Sequence, residues 1–292
     1  MTTYRTALTS AHVTALLFGL TGIFGALIHA SANLITLGRA GFAMLALGLF
    51  AVVQRRPLFR GLDRQKLGIL VLSGALLAAH WVTFFTAIKV GGVAVATLGF
   101  ASFPAFIALL DVLIFRERLH LSESVLLVLI SAGLVLVTPS FGLGNTGTLG
   151  LLWGLGSGLS FALLTMTNRR AARGVDPTQV AFWQNLTVAL LMLPFVSDDL
   201  NALGQFDWLN LALLGVFCTG LSQYLFVKSL EGLNARSAGM IISLEPVYAI
   251  ACAWWLFKEE PSSRMLAGAA LIVLAILLSA RVKTPGRQAA LH

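Results

Sequence analysis

Charge is what this sequence has least of. Lysine, arginine, aspartate and glutamate together make up 11% of its 292 residues, against roughly a quarter in soluble domains. Hydrophobic residues take the space, at 58%. A water-soluble fold of this composition would expose large apolar patches. Continuous apolar runs of about 18 residues or more are instead what a helix needs to cross a ~30 Å hydrocarbon layer. Cysteine is nearly missing: Cys218 and Cys252 both fall inside apolar runs, with no CxxC pair and no zinc spacing, so they read as small packing residues. There is no Walker A loop and no HExxH, and Gly156-Ser157-Gly158 does not fit GxSxG. ATP-driven pumping, zinc proteolysis and serine hydrolysis therefore have no residues to carry them, and no enzyme activity, cofactor or resident metal is expected. The formal charge of +8 comes from short basic clusters between apolar runs, without an aromatic-basic nucleic-acid module.

What is present is a series of apolar runs bounded by charge, proline or glycine. They fall at about 12–30, 33–53, 67–88, 92–114 and 121–138, then at about 147–168, 177–196, 208–229, 234–257 and 263–281. The runs are continuous rather than alternating every second residue, which selects helices over a barrel. The first is read as a retained span, because a second follows at once. With the N-terminus inside, sixteen of the twenty lysines and arginines fall on the cytoplasmic side, whereas Lys89, Lys258 and Arg264 lie opposite and Arg39 lies within the second span. Both termini are thus expected in the cytoplasm, with an even number of spans.

A landmark recurs at one spacing. Pro104 precedes Phe115-Arg116-Glu117 as Pro246 precedes Phe257-Lys258-Glu259, each pair 142 positions apart, and Ile130 meets Ile272 at the same offset. Spans 3 to 5 overlay spans 8 to 10 without a gap. A repeat of five spans enters the membrane the second time from the opposite face, so the halves, placed at 1–140 and 141–292, are inverted copies. The expectation is an all-α membrane protein of ten transmembrane helices built as two inverted five-helix repeats. Such a pair of repeats is a transporter signature, since exchanging their conformations exchanges the open side.

On these features the whole chain resembles the drug/metabolite transporter superfamily, and within it the tandem-EamA exporters. The branch it is most similar to is the YddG-like exporters of aromatic and neutral amino acids. The family places an aromatic and a small residue in the first span of each half. Phe161-Ala162 fits, with Phe24-Gly25 or Phe18-Gly19 as the counterpart. Its basic residue in span 2 resembles Arg39, in the outer third of that span, with Gln184 rather than a cation near the matching place in span 7. The resemblance implies a central cavity lined by spans 1, 3, 4, 6, 8 and 9, with spans 5 and 10 behind.

Among individual residues, Glu245 lies near the middle of span 9 just before Pro246. A charge there costs ~3 kcal/mol unless it is wet, paired or protonated. It reads as a proton or cation site, or else as a neutral carboxyl bonded within the bundle. His80, deep in span 3, either contacts a substrate carboxylate or is satisfied by a serine or carbonyl on a neighbouring helix. Phe84 follows one turn later on the same face. Pro104 and Pro246 remove a helical partner from the carbonyls of Phe100 and Ile242, which makes each a candidate hinge or a static kink. Phe103, Phe161 and Tyr224 are candidate cavity wall, beside Trp183, Gln184, Ser222 and Gln223. Because Phe103 and Glu245 are equivalent in the repeat, the cavity is expected to be apolar on one side and polar on the other. Trp254 and Trp255 read as interfacial belt residues, Glu117 and Glu259 as helix-end caps, and Gly150, Gly154 and Gly158 as a small face for close helix approach.

The function these readings favour is export of small organic metabolites, foremost amino acids, across a bacterial inner membrane by alternating access. A multidrug or quaternary-cation exporter is the alternative, with aromatics and Glu245 holding a cation. The expected partners are a small-molecule substrate and the lipid bilayer, no nucleic acid, and a functional monomer.

Overall fold

Helix ends lie where polar caps interrupt the apolar runs. In the computed structural model, which describes residues 4–115, 121–137, 145–171, 175–196, 203–229, 241, 244–258 and 260–281, regular structure is helical throughout. The first half holds α1 (Tyr4–Leu27), α2 (Ala32–Val53), α3 (Arg64–Phe100), α4 (Phe103–Phe115) and α5 (Leu121–Val137). The second holds α6 (Thr146–Ala171), α7 (Pro177–Met192), α8 (Gln205–Gly215) continuing through a π turn (Val216–Leu221) into α9 (Ser222–Ser229), α10 (Glu245–Phe257) and α11 (Ser263–Arg281). Ser31, Asp63 and Asp176 accept from the amides of Leu34, Lys66 and Thr178 and so start α2, α3 and α7. Five helical stretches are each long and apolar enough to span a membrane: α1, α2, α3, α6 and α8–α9. The 140/141 boundary, Glu117, Glu259 and Ile242 lie outside the described residues.

Packing follows a two-fold plan. Taking α3–α4 as spans 3 and 4 and α8–α9 as span 8, α5 packs on α11 and α2 on α7, each joining equivalent spans. Three further contacts between unlike spans come as matched pairs: α4 with α6 and α10 with α1, α3 with α6 and α9 with α1, α3 with α7 and α8 with α2. Side chains repeat the plan. Ser157 Oγ donates to His80 O at 3.2 Å, and Thr14 Oγ1 reaches Ser222 O at 3.4 Å, where Ser222 is 142 positions after His80. Between spans 1 and 6 the spacing is therefore 143, which makes Phe18-Gly19, not Phe24-Gly25, the counterpart of Phe161-Ala162.

Without a hydrophobic drive between helices in lipid, close association depends on small residues. The face of Gly150, Gly154 and Gly158 supplies them. A Cβ at Gly150 would lie 2.5 Å from Gly91 Cα, one at Gly154 3.1 Å from Gly99 Cα, and one at Gly158 2.8 Å from Ser102 Oγ. In the other half a Cβ at Gly19 would lie 2.8 Å from Tyr248 Cβ and 3.1 Å from Glu245 O.

Spans 4 and 9 are each interrupted just before the proline that the sequence marks as a hinge or a static kink. Span 3 runs into span 4 with one residue between them out of helical conformation, Gly92 at φ 82° and ψ 168°, a region only glycine enters readily. Span 4 then stops at Phe100 and restarts at Phe103, and the described part of span 9 restarts at Glu245. The two breaks share one hydrogen-bond pattern at the 142-residue offset. Ser102 N donates to Gly99 O as Leu244 N does to Ile241 O, Ala105 N to Ser102 O as Val247 N to Leu244 O, and Phe106 N to Ser102 O as Tyr248 N to Leu244 O. Pro104 and Pro246 are thus not kinks within continuous helices. Each is the second residue of a new helix, where a missing N–H costs nothing.

We expect Gly150→Val to overpack the α3–α6 contact at a cost of ~1–3 kcal/mol and to lower the thermal midpoint in detergent by several degrees. Gly41→Ala, where nothing lies within 4 Å of the added carbon, should hold or raise it. Equal midpoints for the two variants would dismiss the small-residue contact as a determinant of stability.

Candidate functional site

The breaks in spans 4 and 9 open on one cavity between the halves. It has an empty volume of about 710 Å³, its open side included, and is lined by Phe18, Thr21, Arg39, Leu77, His80, Trp81, Phe84, Phe100, Phe103, Phe161, Gln223 and Glu245. Helical spacing explains the contribution of α3. Leu77, His80, Trp81 and Phe84 fall at i, i+3, i+4 and i+7, one stripe along one face. Phe18 and Thr21 do the same on α1. Phe100 and Phe103 flank the first break, and Glu245 begins the helix after the second.

One wall is aromatic. The Phe100 ring stacks on Phe103 at 5.3 Å and meets Phe161 edge-on at 5.2 Å, while Phe103 meets Phe161 at 5.1 Å. Phe84 closes on Phe100 at 5.8 Å, and the His80 ring lies 5.0 Å from both Phe100 and Phe161. These offset and edge-to-face contacts are the geometries that ring quadrupoles favour, so the box holds its shape when empty. His80 is oriented from behind: Nδ1 lies 2.7 Å from Ser157 Oγ and 3.2 Å from Ser157 O. The Ser157 hydroxyl also lies 3.2 Å from His80 O, so one serine holds both the ring and the backbone of His80. Nε2 bonds nothing among the described residues.

The opposite wall is polar. Arg39, only 5% exposed, donates from Nε to Thr219 Oγ1 at 2.6 Å, and its guanidinium carbon lies 4.1 Å from the centre of the Trp81 ring. Two features bring Thr219 there. A Cβ at Gly215 would lie 2.7 Å from Arg39 O, so this glycine lets α8 approach α2. The π turn that follows carries Thr219, whose hydroxyl donates five residues back to Leu214 O at 3.1 Å. Beside Arg39 stand Gln223, whose Oε1 is buried without a partner, and Glu245, which makes no hydrogen bond or ion pair among the described residues.

Of the residues singled out in the sequence, His80, Phe84, Phe103, Phe161 and Glu245 meet at this cavity. Tyr224 does not. It is 40% exposed, with its ring 5.1 Å from Phe50, and its neighbour Gln223 holds the cavity position instead. The π turn just before α9 inserts a residue, which rotates everything beyond it by about 100° relative to a regular helix. Arg39 reaches the cavity as well, rather than standing apart in its span. Trp183 and Gln184 lie elsewhere: Trp183 Nε1 donates to Leu58 O, and Gln184 Nε2 to Ser73 Oγ and Asn168 Oδ1. Phe18, Thr21, Leu77, Trp81 and Phe100 were missed, although the stripe through His80 marks Leu77 and Trp81 in the sequence.

A protein-family comparison matches the EamA-like transporter family twice, over residues 5–138 and 148–281. An uncharacterized transporter of Bacillus subtilis, YwfM, is 27% identical over 272 residues, 91% of this chain and 90% of that protein. The pseudopaline exporter CntI of Pseudomonas aeruginosa is 22% identical over 223 residues, 76% of this chain and 78% of that protein. A solved crystal structure superposes with a TM-score of 0.68, covering 94% of this chain and 96% of that one at 19% identity, which is a likeness of fold alone.

Ser157→Ala should cost ~0.5–1.5 kcal/mol by removing the shorter of the two contacts at His80 Nδ1 and leaving the one to the backbone oxygen of residue 157, seen as a lower thermal midpoint in detergent. Ser160→Ala removes a hydroxyl bonded only within its own helix and is the matched control. A Ser157→Ala midpoint equal to wild type would mean that the serine does not hold the ring.

Proposed function

Because the chain belongs to the EamA-like transporter family, we propose that it is a secondary transporter exporting small organic metabolites, aromatic and neutral amino acids foremost, by alternating access through the central cavity. The observation that carries this reading is the cavity itself: it lies between two repeats related by a two-fold plan and is walled by a pre-formed aromatic box on one side and polar groups on the other. That combination suits an amphiphilic molecule of amino-acid size. Export as the direction draws support from the similarity to a protein named as an exporter. The charge asymmetry of the connectors favours a bacterial inner membrane with both termini cytoplasmic. A monomer with one complete cavity is the proposed functional unit. Glu245 is the proposed coupling residue for protons, and the restarted helices at Pro104 and Pro246 are the proposed hinges. The quaternary-cation alternative also has aromatics and Glu245 to draw on, but Arg39 in the same cavity repels a cation without a carboxylate.

Counterflow of labelled phenylalanine in proteoliposomes tests the proposal. We expect saturable uptake in wild type, at least a tenfold loss in His80→Ala, and a loss of any pH-gradient dependence in Glu245→Gln. Uptake no greater than in empty liposomes, from folded protein, would sink the amino-acid reading. A drug-resistance screen would then be the next assay. With the same transport assay, Gln223→Leu should raise the half-saturation concentration several-fold while Tyr224→Phe leaves it unchanged. The reverse pattern would put the cavity on the other face of α9.

A further inference from the structure

Arg39 is the most demanding side chain in the molecule. It is a buried cation in a membrane helix, held at two of its surfaces and open at the rest. Nε is fixed by Thr219 Oγ1 at 2.6 Å, and the guanidinium face is covered by Trp81 at 4.1 Å and approached by Phe85 at 5.9 Å. Both Nη groups are without a hydrogen-bond partner among the described residues, and no carboxylate oxygen of those residues lies within 4.0 Å of them. They are also not sealed into protein, since the buried polar atoms left unpartnered among the described residues are Thr36 Oγ1, Asn185 Oδ1 and Gln223 Oε1. The guanidinium is therefore anchored by one edge and one face and presents its remaining two nitrogens to the cavity it lines.

Among the described residues the same cavity holds one acidic side chain, that of Glu245, close enough for the two charges to act on each other but not joined as an ion pair. Beside it, Gln223 Oε1 is a buried acceptor with no donor. The cavity thus carries a fork of donors and a set of acceptors that are not hydrogen-bonded to each other among the described residues, with the aromatic box adjoining both.

We infer that Arg39 is the carboxylate receptor of this transporter. The two Nη groups take a substrate carboxylate in bidentate fashion, while Glu245 and Gln223 Oε1 accept from its ammonium group. The apolar side chain lies in the box of His80, Phe84, Phe100, Phe103 and Phe161. This inference rests on the amino-acid reading above and narrows it to substrates that are zwitterions at one carbon. A planar fork prefers a carboxylate to a halide or a neutral amide, and a lysine at the same place would supply charge without the fork. A site that leaves polar groups unpaired when one substrate group is missing discriminates strongly against the analogue that lacks it. Amides, decarboxylated amines and amino-less acids are accordingly poor ligands.

The test uses purified full-length protein in proteoliposomes, with phenylalanine, phenylalaninamide, phenethylamine and 3-phenylpropionate each competing against labelled phenylalanine. Thermal stabilisation by each compound is read in parallel. In wild type only phenylalanine should compete well, with the three analogues weaker by at least about tenfold, the worth of one charge-assisted hydrogen bond. Arg39→Lys should weaken phenylalanine by a similar factor and bring phenylalanine and its amide closer together. If that variant does not fold, the wild-type competitor series decides without it. Amide and amine competing as well as phenylalanine would overturn the carboxylate receptor while leaving amino-acid transport in place. If no compound of the four is carried or raises the thermal midpoint, both the receptor and the amino-acid reading fall. If phenylalanine is not carried but 3-phenylpropionate stabilises wild type and not Arg39→Lys, the receptor stands and the amino-acid reading falls.

Discussion

A helix can be interrupted within the hydrocarbon layer only where its freed backbone groups are buried in protein or face water. That constraint organises this molecule. The breaks ahead of Phe103 and Glu245 could not face lipid, so each must be covered by another helix and must open inward. Gly158 of α6 packs on the first break, and Gly19 of α1 packs on the first turn of the helix that follows the second, each so close that a methyl group would collide. The cavity is what lies between the two covered breaks. The residues flanking them, Phe100, Phe103 and Glu245, become its lining because of where the helices stop. Proline at the second position of each restarted helix makes the stop permanent, since it could not donate into a continued helix.

The surrounding packing keeps the two breaks equivalent. Three of the contacts between unlike spans occur twice, and the Ser157–His80 bond has its counterpart in Thr14 and Ser222. What differs is the chemistry placed on this common frame. Trp81 and Gln223 are equivalent positions, as are Phe103 and Glu245, and in each pair the first half supplies a ring and the second a polar group. The aromatic box and the polar wall are thus one geometry furnished with two sets of side chains.

Much of this was legible in the sequence because it is written in periods and offsets. The 142-residue spacing that links Pro104 to Pro246 marks both breaks, and five of the six proposed substrate-binding residues meet at the cavity. The failures have local backbone causes. Tyr224 is an aromatic at membrane depth beside polar neighbours, which marks it as wall, but the π turn at Val216–Leu221 shifts the helical phase and brings Gln223 inward instead. The stop before Phe103 packs on Gly158, a tertiary contact that apolar-run length does not register. Arg39 looked peripheral because depth along a span was counted from the helix end. Its long side chain, directed by Thr219 and Trp81, ends at the cavity instead.

The offset between the halves carries a consequence for ancestry. Two identical copies of the first half, assembled as a homodimer, would surround a cavity with a phenylalanine on each side and no acid. Two copies of the second half would set two glutamates face to face. Neither symmetric assembly would bring together Arg39, which the first half supplies, and Glu245, which the second supplies. Recognition of a molecule with unlike ends therefore requires that the two halves differ at the cavity, as they do at Phe103 and Glu245.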